Sequence, residues 1–231
     1  MRIGIIADIH GNSPALKLIL PSLLDEADLI MFLGDLCGYY PFVEECVSLW
    51  NTERIIGIRG NHDEVLLGCI ENQKEPGEEY EAKYGSALAR SLRNLSEPSI
   101  SLLQSLPISK TLIANGVKFA LYHGSPWDPL DGRVYPDYGA WDRFNEVPAD
   151  IILLGHTHYP FVKYHLDKLI VNPGSVGQPR DRASMASFAV LDVTMRMVEH
   201  RRVHFDAKRL IEDVRKHDPD KAYLVEVLTR G

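Results

Sequence analysis

The stretch Ile3-Gly4-Ile5-Ile6-Ala7-Asp8-Ile9-His10-Gly11-Asn12 joins a short apolar run to a polar turn that contains glycine. An apolar run of this length is typical of a strand that is buried on both faces of a parallel sheet. In open α/β sheets, ligands bind just beyond the carboxyl ends of the strands. Asp8 and His10 are two residues apart, so in an extended segment their side chains point to the same side. The stretch therefore predicts an α/β fold with a site at the end of its first strand.

Further apolar runs repeat this pattern along the chain. Each is short and rich in Ile, Val, Leu or Phe, and a polar loop begins where it stops, so each predicts a buried strand. The runs are Leu29–Leu33, Ile55–Ile58, Val117–Tyr122, Ile151–Leu154 and Leu169–Val171. A helix is predicted between the first two strands, with Asn12 or Ser13 as its cap. Pro14 suits its first position, whereas Pro21 predicts a kink or two short helices.

Three longer segments differ from this pattern. Residues 63–107 are dense in Glu and Lys and predict an inserted helical hairpin or cap. Residues 124–149 carry aromatic residues and prolines without a strand signal, and a loop of that length is usually functional or disordered. From Phe161 onward, alternating residues predict a second, antiparallel set of strands, and the tail from Phe205 predicts helix. The antiparallel strands are Phe161–Tyr164, Leu169–Val171, Phe188–Val193 and Met195–Val203.

The composition of the 231 residues is that of a globular protein. Hydrophobic residues make up 45% and the formal net charge is −7. These values exclude a disordered, collagen-like or coiled-coil chain and argue against a general binder of nucleic acid or membrane surfaces. Three cysteines without a CxxC pair favour a reducing cytoplasm over a disulfide framework. The first apolar run is too short for a signal peptide, and no run approaches the roughly 18 residues of a membrane helix. We therefore expect a single cytoplasmic domain over residues 1–231.

Side chains of the types that bind metals follow five of the predicted strands. Imidazole, carboxylate and amide groups together suit Mn, Fe, Zn or Ni. The residues are Asp8, His10, Asp35, Asn61, His62, His123, His156 and His158. Any one of these histidines would more often be a core or surface residue than a ligand. However, five of the nine histidines lie at strand ends within two residues of a Gly, Asp or Asn, so the pattern predicts a metal site with several histidines.

The order of the strand-end motifs resembles that of the calcineurin-like metallophosphoesterase superfamily. Asp-x-His is followed by Gly-Asp, Gly-Asn-His-Asp, His-Gly and Gly-His-x-His, all between residues 8 and 158. Three stretches further resemble the small bacterial and archaeal phosphoesterases of the YfcE type. They are Asp8-Ile-His-Gly-Asn12, Gly34-Asp-Leu-Cys-Gly-Tyr39 and Asn172-Pro-Gly-Ser-Val-Gly-Gln-Pro-Arg-Asp181. The resemblance extends to about residue 193 and does not include the C-terminal tail.

This resemblance implies a four-layer α/β/β/α sandwich with two divalent transition-metal ions at the strand ends. Manganese is the first expectation, with Fe, Zn, Ni or Co as alternatives. By resemblance, the ligands of the first metal are Asp8, His10, Asp35 and His158. Those of the second metal are Asp35, Asn61, His123 and His156, with Asp35 bridging the two. The implied reaction is hydrolysis of a phosphodiester or phosphomonoester by a metal-bridging hydroxide, with His62 as the general acid.

One departure from the family concerns the general acid. Protein Ser/Thr phosphatases continue the Gly-Asp motif with Asp-Arg-Gly, which supports the acid, whereas Asp35 is followed here by Leu-Cys-Gly. Asp63 is the chain neighbour of His62, which is poor geometry for holding its imidazole. The group that orients His62 must therefore lie elsewhere. Asn172 and Ser175 are expected to brace the site from behind.

The substrate and partners remain open at this stage. We expect a small phosphate ester or a nucleotide, no membrane and no nucleic acid, with a homo-oligomer as an open alternative. Competing functions are a dinucleoside-polyphosphate hydrolase, a protein Ser/Thr phosphatase, a nuclease subunit and a non-catalytic scaffold of the same fold. Arg180 could hold a substrate phosphate bidentately or be a surface arginine. Tyr39, Tyr40, Trp127 and Tyr138 could stack on a nucleobase, although packing under loops is favoured.

Overall fold

The computed structural model describes residues 1–50 and 53–230, which form two β-sheets with helices around them. In these ranges the strands are β1 (Arg2–Ile6), β2 (Leu29–Leu33), β3 (Ile55–Ile58), β4 (Ser109–Ala114), β5 (Val117–Tyr122), β6 (Ile151–Leu153), β7 (Phe161–His165), β8 (Lys168–Asn172), β9 (Met185–Asp192) and β10 (Met197–His204). The helices there are α1 (Ser13–Glu26), α2 (Val43–Ser48), α3 (Asn61–Glu71), α4 (Glu78–Tyr84), α5 (Ala87–Leu92), α6 (Glu97–Ser105), α7 (Lys208–His217) and α8 (Ala222–Thr229), with a 3₁₀ helix at Trp141–Glu146.

The first sheet has the strand order β10-β9-β1-β2-β3. Strands β1, β2 and β3 are parallel, with Ile3 opposite Leu29 and Ile30 opposite Ile55. Strand β9 is antiparallel to β1, and β10 is antiparallel to β9. The three parallel strands are those predicted from the first three apolar runs. Because they are parallel, the three polar motifs that follow them lie along one edge of the sheet.

The second sheet has the strand order β4-β5-β6-β8-β7. Its central strands β5, β6 and β8 are parallel, and β4 and β7 are antiparallel edge strands. The prediction of a separate antiparallel set from Phe161 onward was wrong, because β9 and β10 join the first sheet and β8 lies parallel to β6. Residue alternation identifies a strand but carries no information about its partner. Strand β4 was not predicted, since its side chains are largely exposed and it lacks an apolar run.

Helix α1 begins as predicted, with the Asn12 side chain accepting a hydrogen bond from the backbone N–H of Ala15 at 3.0 Å. It continues through Pro21 to Glu26 as one helix, so the alternative of two short helices was wrong. Pro21 removes the backbone hydrogen bond to the Lys17 carbonyl. Both residues lie on the exposed face of the helix, where water can take the place of that bond.

Three buried apolar clusters separate the layers of the fold. The first lies between the helices and the first sheet and includes Leu16 and Phe32. The second lies between the two sheets, where Ile5 and Leu121 are both fully buried. The third covers the outer face of the second sheet and contains Phe144 of the 3₁₀ helix. The predicted α/β/β/α sandwich is therefore confirmed, and the segment 124–149 provides its outermost layer.

The segment 63–107 is helical, as predicted, and its described structure consists of most of α3 followed by α4, α5 and α6. Leu66, Leu88 and Leu103 attach it to the cluster beneath the first sheet. Arg90 of α5 donates two hydrogen bonds to Asp213 of α7, each at 2.8 Å, which ties the segment to the C-terminal helices. Over the part of the chain that the structure describes, no helix has both the length and the apolar character needed to cross a membrane.

We expect Phe144→Ala to lower the free energy of unfolding by about 3–5 kcal/mol, because truncating a buried aromatic ring leaves a cavity. The Phe144 ring is fully buried and packs against Trp127 and Trp141 at centroid distances of 5.0 and 5.8 Å. Urea unfolding measures the change. Met195→Ala is the control, since this side chain is 66% exposed and its loss should change stability by less than about 0.5 kcal/mol. Equal losses in both variants would contradict the packing role of the segment 124–149.

Candidate metal centre

The polar motifs from both sheets meet at one place. The Asp35 carboxylate lies 3.2 Å from Nε2 of His123 and 3.8 Å from Nε2 of His10. The Asp8 carboxylate lies 3.5 Å from Nε2 of His158. Strands β1 and β2 supply the carboxylates, and the segments after β5 and β6 supply His123 and His158. The structure thus brings together side chains that are up to 150 residues apart (158 − 8) in the sequence.

The backbone at this centre adopts an uncommon conformation. Asp8, His10, Asp35, His156 and His158 have φ angles of 56°, 52°, 60°, 64° and 63°. Left-handed φ values are uncommon for residues other than glycine, and such residues persist where the surrounding structure enforces them. They account for five of the ten non-glycine residues with positive φ in the described ranges. This clustering supports a functional role for the strand ends.

Two glycines leave room for these side chains. A Cβ atom on Gly38, whose φ is 141°, would lie 2.4 Å from Nδ1 of His10. A Cβ atom on Gly60 would lie 2.2 Å from Oδ1 of Asp35. No real Cβ contact is this short, so any larger residue would displace His10 or Asp35.

Three of the histidines are oriented in the same way. Each donates Nδ1–H to a backbone carbonyl, which leaves Nε2 facing the centre, as second-sphere contacts commonly do for metal-binding histidines. The pairs are His10 with Cys37 at 2.9 Å, His123 with Leu33 at 2.8 Å and His158 with Gln178 at 2.7 Å. Two further side chains hold the backbone next to the strand ends, as expected. The Ser175 hydroxyl donates a hydrogen bond to the Asp8 carbonyl at 2.7 Å, and the Asn172 amide donates one to the Gly155 carbonyl at 2.7 Å.

Several polar atoms in this arrangement lack the partner that a metal ion would provide. Nε2 of His10 and Nε2 of His158 lie 3.0 Å apart. When both Nδ1 atoms donate to carbonyls, both Nε2 atoms of the neutral rings carry lone pairs that face each other. Both carboxylate oxygens of Asp8 are buried and have no hydrogen-bond partner within the described structure. These are the positions at which a cation would fit.

Burial and charge shift the pKa values of these groups in different directions. Burial lowers the pKa of His10 to about 3 and that of His156 to about 3, which keeps both imidazoles neutral. Burial raises the pKa of Asp8 to about 8; the positive charge of His123 opposes this rise and the negative charge of Asp35 adds to it. Burial also opposes protonation of His123, but the Asp35 carboxylate outweighs it and raises the His123 pKa to about 10. Buried carboxylates with such shifted pKa values are a common feature of functional sites.

Three sets of side chains have potential ligand atoms within 4.8 Å of one another. Two of these sets are Asp8 with His10 and His158, and Asp35 with His123 and His156. Asp35, predicted for both ligand groups, is absent from the first of these sets. Oδ1 of Asn61 lies 3.1 Å from Nε2 of His123, beside the second set. A third set contains His62 with His10 and Asp35.

His62 lies beside the centre, and Asp63 does not contact its ring. The Asp63 carboxylate instead accepts hydrogen bonds from the backbone N–H groups of residues 35, 36, 37 and 60, at 2.8 to 3.2 Å. It fixes the loop after β2 against the start of α3. The His62 ring is hydrogen-bonded through Nδ1 to the hydroxyl of Tyr80 in α4. Tyr80 was not predicted as a site residue, because it lies in the inserted segment and no motif in the sequence marks it.

A cavity of about 330 Å³ opens in front of the centre. Three cationic side chains line it: Lys83 of α4, Arg133 of the segment 124–149 and the predicted Arg180. Two acidic residues, Asp35 and Asp131, also line it. Sequence reasoning missed Lys83 and Arg133. Tyr39 also lines the cavity, within 3.4 Å of an Arg180 nitrogen.

The other aromatic candidates lie elsewhere. Tyr40 is fully buried, and Trp127 and Tyr138 stack on each other at 5.9 Å in the layer outside the second sheet. Tyr40 agrees with the favoured prediction of packing, whereas Trp127 is 36% exposed and does not.

Comparisons with known proteins identify relatives over the whole chain. The calcineurin-like phosphoesterase superfamily domain matches residues 1–196. An uncharacterized protein of Methanocaldococcus jannaschii is 33% identical, and the match covers 93% of this chain and 92% of that protein. The crystal structure of a metallophosphoesterase from Sphaerobacter thermophilus is 28% identical and has a TM-score of 0.78, with coverage of 99% of this chain and 98% of that one.

The resemblance to the YfcE type is weaker. YfcE, a phosphoesterase from E. coli, is 19% identical and has a TM-score of 0.51, with coverage of 89% of this chain and 100% of that chain. This likeness is one of fold.

We expect Gly38→Ala to reduce the amount of metal that the protein binds to less than half, because the new Cβ atom occupies space needed by the His10 ring. Elemental analysis after incubation with Mn²⁺ and gel filtration measures the change. Gly68→Ala is the matched control, since a Cβ atom there meets no atom within 4 Å. Gly68 lies inside α3, so its replacement should leave metal content unchanged and raise stability by up to about 1 kcal/mol. Unchanged metal content in Gly38→Ala would contradict the role of His10.

Proposed function

This chain belongs to the calcineurin-like phosphoesterase superfamily, and we propose that it hydrolyses phosphate esters with the help of two divalent metal ions. The observation that carries the proposal is the arrangement of unpaired donor atoms at the strand ends. Two imidazole nitrogens face each other at 3.0 Å, beside a buried carboxylate without a hydrogen-bond partner. A folded protein rarely leaves such groups unpaired, because each costs free energy.

We propose that the predicted ligands hold the ions in two sets. The first set is Asp8, His10, Asp35 and His158, and the second is Asp35, Asn61, His123 and His156. The position of the Asp35 carboxylate between His10 and His123 supports its role as the shared ligand. When bound, two such ions polarise a phosphoryl oxygen and lower the pKa of water to near neutrality. Mixed nitrogen and oxygen donors favour manganese, iron, zinc, nickel or cobalt, with manganese as our first expectation.

The chain's own residues would bind and orient the substrate. Lys83, Arg133 and Arg180 place positive charge around the cavity although the whole chain has a net charge of −7. A phosphate ester is drawn to such a site, and an arginine can grip phosphate through two parallel hydrogen bonds. The cavity volume of about 330 Å³ favours a small phosphate ester or a nucleotide over a polymer. The cytoplasmic location, the single domain and a homo-oligomer stay predictions.

His62 is proposed as the general acid that protonates the leaving oxygen. Its side chain is 4% exposed and lines the cavity, and its backbone N–H donates to Oδ1 of Asp35 at 2.9 Å. The backbone contact holds His62 next to the proposed shared ligand. Among the described residues, its ring is hydrogen-bonded to the Tyr80 hydroxyl and not to a supporting carboxylate of the kind that protein Ser/Thr phosphatases use, which argues against that alternative.

Hydrolysis of bis-p-nitrophenyl phosphate in the presence of added Mn²⁺, and its loss in EDTA, would support the proposal. Asp35→Asn should lower this activity by several orders of magnitude and reduce metal content, because it removes a negative charge that both ions share. The loss should exceed that of Asn61→Ala, since an amide oxygen is the weaker ligand. Asp220→Asn is the control, because this exposed carboxylate pairs only with Lys221 in the described structure and should leave activity unchanged.

Two outcomes would contradict this proposal. Absence of turnover with Mn, Ni, Co, Fe and Zn, in a protein that also takes up no metal, would favour the non-catalytic scaffold. Near-normal activity in Asp35→Asn would show that the two-metal assignment is wrong. Diadenosine tetraphosphate and a phosphopeptide, assayed with the same preparation, rank the remaining enzyme alternatives.

We expect His62→Ala to keep its metals and to lose rate in a way that depends on the leaving group. General acid catalysis contributes about 10²–10⁴-fold when the leaving group needs a proton. The loss should therefore be large for alkyl phosphate esters and small for p-nitrophenyl esters, whose phenolate leaves unaided. Steady-state kinetics and elemental analysis measure both effects. Equal losses on the two ester types, together with lost metal, would make His62 a ligand instead.

A further inference from the structure

Tyr80 contacts the side chain of the proposed general acid directly. It lies on α4, and its hydroxyl is hydrogen-bonded to Nδ1 of His62. The two rings also pack edge to face at a centroid distance of 5.6 Å. Tyr80 belongs to the inserted segment rather than to any strand end, so it lies outside the set of metal-binding motifs.

Within the described part of the chain, Tyr80 is the group that can orient the His62 ring by hydrogen bonding. The Asp63 carboxylate is engaged by four backbone N–H groups. The remaining neighbours are the rings of His10, Tyr39 and Tyr84, at centroid distances of 5.1, 5.2 and 4.8 Å. These rings restrict the tilt of His62 but do not determine which nitrogen carries a proton. Among the described residues, Tyr80 alone hydrogen-bonds to the imidazole.

We propose that Tyr80 is a positioning residue for His62 and that it takes the place of the supporting carboxylate found in protein Ser/Thr phosphatases. This inference rests on the proposed function. The tyrosine oxygen accepts a hydrogen bond from Nδ1–H of the imidazolium and from Nδ1–H of the neutral ring that remains after Nε2 loses its proton, so it holds Nδ1 in both states. Nε2 is then the nitrogen left to face the substrate.

During hydrolysis, a hydroxide oxygen forms a new bond to phosphorus. The bond between phosphorus and the leaving oxygen breaks, and its electron pair stays on that oxygen. The oxygen takes the proton from Nε2 of the imidazolium, and the neutral ring keeps its other proton on Nδ1, hydrogen-bonded to the Tyr80 oxygen. Solvent water then returns a proton to Nε2. Tyr80 itself gains and loses no proton in the cycle, so its contribution is orientation alone.

The test is Tyr80→Phe, which removes one oxygen atom and keeps the ring. Hydrolysis is measured on aryl phosphodiesters whose leaving groups run from p-nitrophenolate to unsubstituted phenolate, with Mn²⁺ bound. We expect kcat for the phenyl ester to fall by about 10- to 100-fold, the scale of one lost hydrogen bond to a charged group. KM, metal content and kcat for the p-nitrophenyl ester should change less than about twofold, because only proton delivery is impaired.

Tyr223→Phe is the matched control. The Tyr223 hydroxyl donates to the Lys83 carbonyl, so this variant also removes a hydroxyl contact to α4 but none to His62. It should retain the wild-type dependence on the leaving group. In addition, Tyr80→Phe should have no further effect in a His62→Ala background, whereas a merely structural role would lower the rate again.

The outcomes separate this inference from the proposed function. An inactive wild-type protein with every metal contradicts the proposed function. An active wild type with an unchanged leaving-group dependence in Tyr80→Phe overturns the role of Tyr80 and leaves the proposed function intact. Equal losses on all esters, with reduced metal content, also overturn it, because they show that Tyr80 supports the metal centre rather than the acid.

Discussion

The burial of two carboxylates, Asp8 and Asp35, at the junction of the two sheets is the constraint on which the rest of the structure depends. An ionised carboxylate away from water costs several kcal/mol unless a cation or hydrogen bonds compensate it. His123, whose Nε2 lies 3.2 Å from the Asp35 carboxylate, compensates one of the two, whereas the Asp8 carboxylate has no hydrogen-bond partner in the described structure. The parallel pairing of β1 with β2 brings the two carboxylates to the same edge. The proposed metal binding would consequently be coupled to folding, since a bound cation would compensate the same carboxylates that folding buries.

Much of the fold and of the centre could be predicted because the signals are local. Each buried strand is a short apolar run, and each proposed ligand follows one within a few residues, so a pattern of types and spacings sufficed for Asp8 or His158. The sheet to which β9 and β10 belong could not be predicted, because strand pairing depends on contacts far apart in sequence. Strand β4 lacks an apolar run, since an exposed edge strand does not need one.

The residues missed at the site share one property: they come from the inserted segments. Tyr80 and Lys83 lie on α4, and Arg133 lies in the layer outside the second sheet. Tyrosines, lysines and arginines are common on surfaces, so no local spacing distinguishes one that faces a cavity. Their role depends on where helix α4 and the segment 124–149 lie in the folded structure. The strand ends thus fix the proposed metal chemistry, and the insertions shape the space above it.

Helix α4 has no fully buried side chain of its own. Besides Tyr80, it is held by the Tyr223 hydroxyl on the Lys83 carbonyl, and the Asp218 carboxylate accepts two hydrogen bonds from Ser86 just beyond it. Both Asp218 and Tyr223 follow residue 196, where the match to the superfamily domain ends. Substitutions in the tail would therefore shift α4, and with it the cavity wall that carries Lys83, without changing a proposed ligand residue. Substrate preference would then depend in part on a segment that does not itself line this cavity.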